Sequence, residues 1–357
     1  MTQIKFKNKL FMVVIFIFQM NLLLLSNNKQ PYKFGKLLSK KSYKHKSHIG
    51  LSVISNDLKL VITGSEDRYV SIWERESGRK LASKRMHKDM VSNVSFSPNN
   101  EKFASCDGGI TFKNSGYINI WKTKSLKLIH RIKADNKQIN CIAFSPDAKK
   151  IASYGPESGL KLWDVKTAEL LGKSKDYHNQ VIRGKLFFVS AFDVLFTNDG
   201  KSVVSCGGDG SIIIWNATDL SVRKILKNPH QVNCLDISLD GKYIAGGDSK
   251  GNIHIVRVKD WKLIKTYSSL DYGILSLKFY DSDKLLISAG HSKIVKIQES
   301  LSGKLVGTLA IDVPSVTSIA NSKDNLKLVV VSSGSKKKGH YGDIYYWRVQ
   351  LENKVKP

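Results

Sequence analysis

The sequence is short of cysteine and proline. It has four and seven of them respectively in 357 residues. So few prolines exclude a polyproline linker protein, and four cysteines are too few for a small disulfide-built scaffold. No C-x-x-C-H is present, which excludes covalent c-type haem attachment, and neither H-E-x-x-H nor a P-loop occurs. No catalytic residue, metal or cofactor is therefore expected. What the chain does have is ordinary globular material, with 41% hydrophobic and 24% charged residues and 26 glycines. That composition supports a sizeable core and many tight turns.

Acidic residues are also scarce relative to basic ones. Lys and Arg number 57 and Asp and Glu 30, a formal net charge of +27. Such an excess favours acidic partners. It is mostly Lys, spread through the chain, whereas a dedicated phosphate reader would be expected to rely on Arg. Nucleic acid is not the expected partner. At the N-terminus, Lys5, Lys7 and Lys9 precede the run Leu10 to Leu25, apolar except for Gln19 and Asn21. A basic region before an apolar one reads as a signal peptide or signal anchor over residues 1–26, ahead of a domain over 27–357. The run would reach about 24 Å as a helix, marginal for a membrane crossing. The lysines that follow it, from Lys29 to Lys46, oppose export of that flank. The expectation is an exported protein or one tethered through residues 10–25; the alternative is a cytoplasmic protein starting at Met12 or Met20.

An apolar–x–apolar–Trp strand recurs every 41–52 residues. It ends at Trp73, Trp121, Trp163 and Trp215, then at Val256 and Gln298 in the same phase, and finally at Trp347. Two strands precede each hit, joined by tight turns such as Ser145-Pro146-Asp147 or Asn198-Asp199-Gly200. A fourth strand follows, as in Gly303–Leu309. Pro presets φ and Gly tolerates positive φ, so these turns suit hairpins. A unit of about 40–50 residues with four short strands is the size of a propeller blade.

These residues resemble the WD-repeat family. Phe144-Ser145-Pro146-Asp147 and Leu162-Trp163-Asp164 carry the likeness best. The resemblance implies an all-β, seven-bladed β-propeller of four-stranded antiparallel blades, expected as a monomer. Residues about 35–42 (Gly35-Lys36-Leu37-Leu38-Ser39 resembles other fourth strands) are expected to supply the outer strand of the last blade. The resemblance also implies a His–Ser/Thr–Asp–Trp hydrogen-bond network in each blade. Repeat 4 has candidates for all four in His178, Ser205, Asp209 and Trp215. Repeat 1 keeps Thr63, Asp67 and Trp73, and repeat 2 keeps His87 and Trp121 with Ser115 where the Asp would fall. All read as structural. Cys106 and Cys206 share one phase and Cys141 and Cys234 another, so Cys106–Cys141 and Cys206–Cys234 are either inter-blade disulfides in an exported protein or buried apolar residues.

Family topology places the loops between strands 2 and 3, and between strand 4 and the next strand 1, on one face. The long insertions all fall there: 107–116, 178–191 and 332–342. Aromatic and Arg side chains anchor most interfaces. Phe187 and Phe188 with Arg183 and Lys185 are the first candidates for a partner contact. Phe112, Lys113, Lys336, Lys337, Lys338, His340 and Tyr341 come next. The functional expectation is a non-catalytic protein-binding scaffold. An accessory factor of an envelope or respiratory enzyme complex is one alternative. A propeller enzyme or small-ligand binder using the central channel is another, and would need carboxylates converging there.

Overall fold

The computed structural model describes residues 32–44, 49–108, 115–175, 178–182, 185–188, 190–311, 315–321, 327–336 and 339–351. Its main body is Phe34–Val349. The leader expected over 1–26 lies outside the described residues. Among the described residues, no helix is long and apolar enough to cross a membrane.

A first strand, β1 (Tyr32–Lys44), precedes the blades. Blade 1 is β2 (Ile49–Ile54), β3 (Leu60–Ser65), β4 (Tyr69–Glu74) and β5 (Lys80–Arg85). Blade 2 is β6 (Val91–Phe96), β7 (Lys102–Asp107), β8 (Tyr117–Lys122) and β9 (Lys127–Lys133). Blade 3 is β10 (Cys141–Phe144), β11 (Lys150–Gly155), β12 (Gly159–Asp164) and β13 (Leu170–Lys173). A separate two-stranded hairpin follows, β14 (Asn179–Ile182) and β15 (Lys185–Phe188). Blade 4 is β16 (Ala191–Phe196), β17 (Ser202–Gly207), β18 (Ser211–Asn216) and β19 (Val222–Lys227). Blade 5 is β20 (Val232–Ile237), β21 (Tyr243–Asp248), β22 (Asn252–Arg257) and β23 (Lys262–Ser268). Blade 6 is β24 (Ile274–Tyr280), β25 (Leu285–Gly290), β26 (Ile294–Glu299) and β27 (Leu305–Ala310).

Six blades, not seven, are thus built from four consecutive strands. The remaining four-stranded sheet is composite. It joins β28 (Val316–Asn321), β29 (Lys327–Lys336) and β30 (Gly339–Leu351) to β1, in the order β1-β30-β29-β28. Its inner strand β28 contacts both β24 and β2. Residues 332–342, expected as an insertion loop, are mostly strand: β29 and β30 pair continuously out to Lys336↔Gly339.

The hydrophobic cores lie between blades. Ile62, Val70 and Ile72 of blade 1 pack with Val94, Phe103 and Trp121 of blade 2. Ile120 and Ile132 of blade 2 meet Ile151 and Trp163 of blade 3, and the same exchange continues to blade 6. Each such side chain, buried, contributes about 1.5–3 kcal/mol. The alternation read from the sequence is therefore the signature of strands buried on two differently packed faces. In blades 1 to 6 the third strand carries a register shift immediately before the Trp position, from Ile72/Trp73 to Ile297/Gln298. Such bulges strengthen local twist.

The recurring Asp residues have a local cause. In blade 3, Lys150 N–H donates to Ser145 Oγ at 2.9 Å, Ser145 Oγ donates to Asp147 at 2.6 Å, and Lys149 N–H donates to the same carboxylate at 3.0 Å. Blade 4 repeats this with Thr197 and Asp199, and blade 5 with Ser238 and Asp240. The next residue has positive φ, being Ala148, Gly200 or Gly241.

Candidate functional site

Two groups of buried polar residues organise the scaffold, and a third feature stands on its loop side. The first group is the blade network. In blade 4, Trp215 Nε1 donates to Ser205 Oγ at 2.9 Å. His178 Nε2 meets the same hydroxyl at 2.8 Å, and His178 Nδ1 meets Asp209 Oδ1 at 2.8 Å. Asp209 also accepts from Ser211 Oγ and pairs with Lys227 Nζ at 3.0 Å. Burial alone would raise the Asp209 carboxyl, but His178, Ser211 and Lys227 together hold it well below the usual carboxylate range. His178 keeps this position despite the insertion after it, because its N–H donates to the Tyr154 hydroxyl at 2.6 Å and its ring meets Tyr154 edge-on.

Blade 2 builds the same network from a residue the sequence reading missed. His87 reaches Ser105 at 2.7 Å, and Trp121 Nε1 donates to that hydroxyl at 2.8 Å. The carboxylate beside His87 Nδ1 is Asp107, 3.2 Å away, and not a group at Ser115. Asp107 ends β7 and also accepts the N–H groups of Tyr117 and Lys88. Asp248 holds the corresponding place in blade 5, where it pairs with His254. The clue was an Asp closing the second strand, visible at both positions. In blade 1, Trp73 Nε1 donates to Thr63 at 2.7 Å, while Asp67 accepts the Tyr69 N–H. Trp163 does the same with Ser153. Trp347 lies in β30, whose side chains are not described.

The expectation that no G-x-S-x-G occurs is wrong: the run Gly247-Asp248-Ser249-Lys250-Gly251 has that spacing, the one found in a nucleophile elbow. It forms the β21–β22 turn, not a strand-to-helix elbow. Asp248 accepts the N–H groups of Lys250 and Asn252, and Gly251 sits at φ +83° where a Cβ would collide with Leu270 O.

The second group lines a central cavity of about 930 Å³. At three seams an inner-strand N–H group is met by a side chain of the preceding blade. Leu235 N–H donates to Asp193 Oδ2 at 2.9 Å, Phe279 N–H to Asp236 Oδ2 at 2.8 Å, and Ile319 N–H to Ser276 Oγ at 3.0 Å. Lys278 pairs with Asp236. Carboxylates thus do converge on the channel, which the repeat phase alone did not indicate. Their oxygens are engaged as stitches between blades. Burial pushes the Asp193 carboxyl up to about 6 and raises Asp236 as well.

The sign of the Asp193 effect follows from linkage. An unfolded Asp titrates near 3.9, so the folded state binds the proton more tightly. The stability this group contributes is fully present below about pH 4 and is lost as pH rises through 6. Urea midpoints measured across that window are expected to fall more steeply with pH in the wild type than in Asp193→Asn; equal slopes would refute the assignment.

The four cysteines are buried free thiols, not disulfides. Cys106 Sγ lies 3.5 Å from Ile139 O, Cys141 Sγ 4.0 Å from Ala191 O, and Cys234 Sγ 4.0 Å from Ile274 O. These three thiols therefore face the next blade's backbone. Burial raises all four above the ordinary thiol range, so they are held protonated.

The third feature is the β14–β15 hairpin, which pairs Gln180 with Phe187 and Asn179 with Phe188. Phe187, Phe188 and Lys185 are in its second strand. Arg183 lies outside the described residues, as do Phe112, Lys113, Lys337 and Lys338. Lys336 ends β29, and His340 and Tyr341 begin β30. Among the described residues, no group of three or more His, Cys, Asp or Glu is placed to hold a metal ion.

Comparison with known proteins agrees with this architecture. The WD domain, G-beta repeat profile matches residues 38–74, 78–122, 126–164, 179–216 and 221–256. The chain is 28% identical over 109 residues to "Meiotic recombination protein rec14" of Schizosaccharomyces pombe, covering 30% of this chain and 36% of that one. It is 31% identical over 180 residues to "U3 small nucleolar RNA-associated protein 18 homolog" of Arabidopsis thaliana, covering 48% and 28%. The chain thus spans about a third of the length of these two relatives. A longer match, 23% identical over 313 residues, is to "Guanine nucleotide-binding protein subunit beta" of Saccharomyces cerevisiae, covering 76% and 72%. With five repeats matched over more than half its length and the blade network in place, the chain belongs to the WD-repeat family.

Proposed function

We propose that this protein is a non-catalytic scaffold that docks a partner protein on the face carrying the hairpin β14–β15. The ring is read as seven sheets, with β1 closing the composite one, which makes that face a rigid platform. The observation that carries the reading is the hairpin itself. It is a paired insertion outside the blade pattern, on the loop side, with two adjacent phenylalanines and a lysine in its second strand. Function tends to sit on loops held by rigid scaffolds, and aromatic residues dominate interface energy. The buried carboxylates of the channel are engaged in holding blades together, which argues against an enzyme reading.

The test is affinity purification from the native cell with wild type and a Phe187→Ala/Phe188→Ala variant. A folded variant is expected to lose the main wild-type partner by about tenfold or more, the effect of removing an aromatic hot spot. Recovery of every wild-type partner would end the proposal. N-terminal sequencing of the recovered protein tests the companion proposal that residues 1–26 form a signal peptide or anchor.

A further inference from the structure

Between blades 2 and 3, on the loop side, lies a cavity of about 180 Å³. Its lining includes Lys133, Asp135, Glu157, Ser158, Lys161 and Lys173. Asp135 belongs to the β9–β10 link, and Glu157 and Ser158 to the β11–β12 turn. The volume is well under the roughly 300 Å³ of the smallest ordinary ligand pockets, yet several times the about 30 Å³ of one water. It suits a single compact polar group.

The lysines here are set against one another. Lys161 and Lys173 are direct cross-strand partners in blade 3. Such partners share a face, and like charges so placed repel. Lys133 lines the same cavity from blade 2. Two of the three ammoniums are held in position. Lys133 Nζ donates to Ser115 O and lies over the Tyr117 ring, and Lys161 Nζ donates to Ala134 O at 2.6 Å. Burial pulls Lys161 below the usual lysine range; Asp135 opposes this and Lys173 adds to it.

The two carboxylates of the lining are already engaged. Asp135 is buried, accepts from Ser158 Oγ and from the Lys137 N–H at 3.0 Å, and offsets part of the Lys161 charge. Glu157 pairs with Lys137 at 2.7 Å. Among the described ion pairs, none involves Lys133, Lys161 or Lys173. With Asp135 set against Lys161, the charges of Lys133 and Lys173 are left over. A phosphoryl group carries about −1.5 to −2 at neutral pH, which matches them. Its arrival would turn the cross-strand repulsion into attraction on both sides. Lysine serves phosphate as a point charge, so a cavity ringed by ammoniums needs no guanidinium fork.

We propose that this cavity binds a phosphoryl dianion through Lys133, Lys161 and Lys173, the group being free inorganic phosphate or a phosphorylated serine of a partner protein. The site does not depend on the hairpin reading.

The test is isothermal titration calorimetry on the full chain. The probes are inorganic phosphate, a glycine–serine peptide with one phosphoserine, and the same peptide unphosphorylated. The phosphorylated probes are expected to bind, and the tighter of them identifies the source of the group. Lys133→Gln/Lys173→Gln is expected to weaken that binding at least about tenfold. Lys127→Gln/Lys166→Gln, the same loss of charge outside the cavity, is expected to change it less than about twofold. Phosphopeptide binding should strengthen from about pH 5 to about pH 7.5, as the second phosphoryl proton leaves near about 6. In the ligand-free protein, Lys173→Gln should raise the thermal midpoint by relieving Lys161. Absence of binding by both phosphorylated probes would overturn the proposal, and so would equal binding of the two peptides. An equal loss in the two double variants would assign binding to diffuse surface charge and overturn the site. A midpoint lowered by Lys173→Gln would overturn the repulsion on which the argument rests.

Discussion

Trp121→Ala is expected to cost about 3–5 kcal/mol, the usual penalty for emptying a large buried aromatic site. The residue is fully buried, its ring stacks on Phe103 at 5.9 Å between centroids, and its Nε1 donates to Ser105. The substitution leaves a cavity between blades 1 and 2 and removes one of the two groups bonded to the Ser105 hydroxyl. Trp121→Phe separates the two effects. It keeps most of the packing and loses the N–H, so it is expected to cost much less, about 1–2 kcal/mol. Urea denaturation followed by tryptophan fluorescence and far-UV circular dichroism gives both numbers. A loss under about 1 kcal/mol for Trp121→Ala would mean that the blade seam does not depend on this ring.

The fold was readable because the repeat imposes the same packing problem many times. Trp73, Trp121, Trp163 and Trp215 mark the third strand, and the phase holds even where the marker changes. Val256 fills the slot inside the core between blades 4 and 5. Gln298 fills it by donating from Nε2 to Gly303 O at 2.8 Å. The turn residues were equally legible, since Ser–x–Asp closes the hairpin through local bonds. The outer strand of the composite sheet was also traceable from its likeness to other fourth strands, and β1 does pair with β30.

What sequence could not supply was the partner of each polar group. Ser115 occupies the right distance from Trp121 for the network carboxylate, but the side chain that reaches His87 comes from Asp107, across the blade. No motif or turn position singled out Asp193 or Asp236. Their role depends on which edge of an inner strand is unpaired and how far the next blade stands away, both consequences of ring geometry. The cysteine phases correctly placed the residues toward neighbouring blades. They could not tell that the thiols of Cys106, Cys141 and Cys234 each meet a carbonyl and not a second sulfur. At 332–342 the glycine and lysine content suggested a loop, yet β29 and β30 extend their ladder through it. A long two-stranded edge satisfies its own backbone and needs no apolar pattern to do so.

The other large effect is expected at Asp209, the acceptor that completes the blade 4 network. Asp209→Ala would leave His178 Nδ1 buried without its carboxylate and release Lys227, and it would also withdraw the acceptor of Ser211 Oγ. Breaking a buried charged pair from one side costs about 3–5 kcal/mol, more than an ordinary surface substitution by several-fold. The wild-type contribution has a defined pH dependence. The folded carboxyl titrates below its unfolded value near 3.9, so its stabilisation is fully present above about pH 4 and disappears as pH falls through the depressed folded value. Urea midpoints of wild type and Asp209→Ala should therefore differ strongly at neutral pH and converge in acid. Asp209→Asn keeps an acceptor for His178 but loses the charge, so it should fall between the two at pH 7. A difference that stays constant from pH 7 down to about 2 would show that the aspartate acts through its shape and not through its charge, and the network reading of this blade would fail.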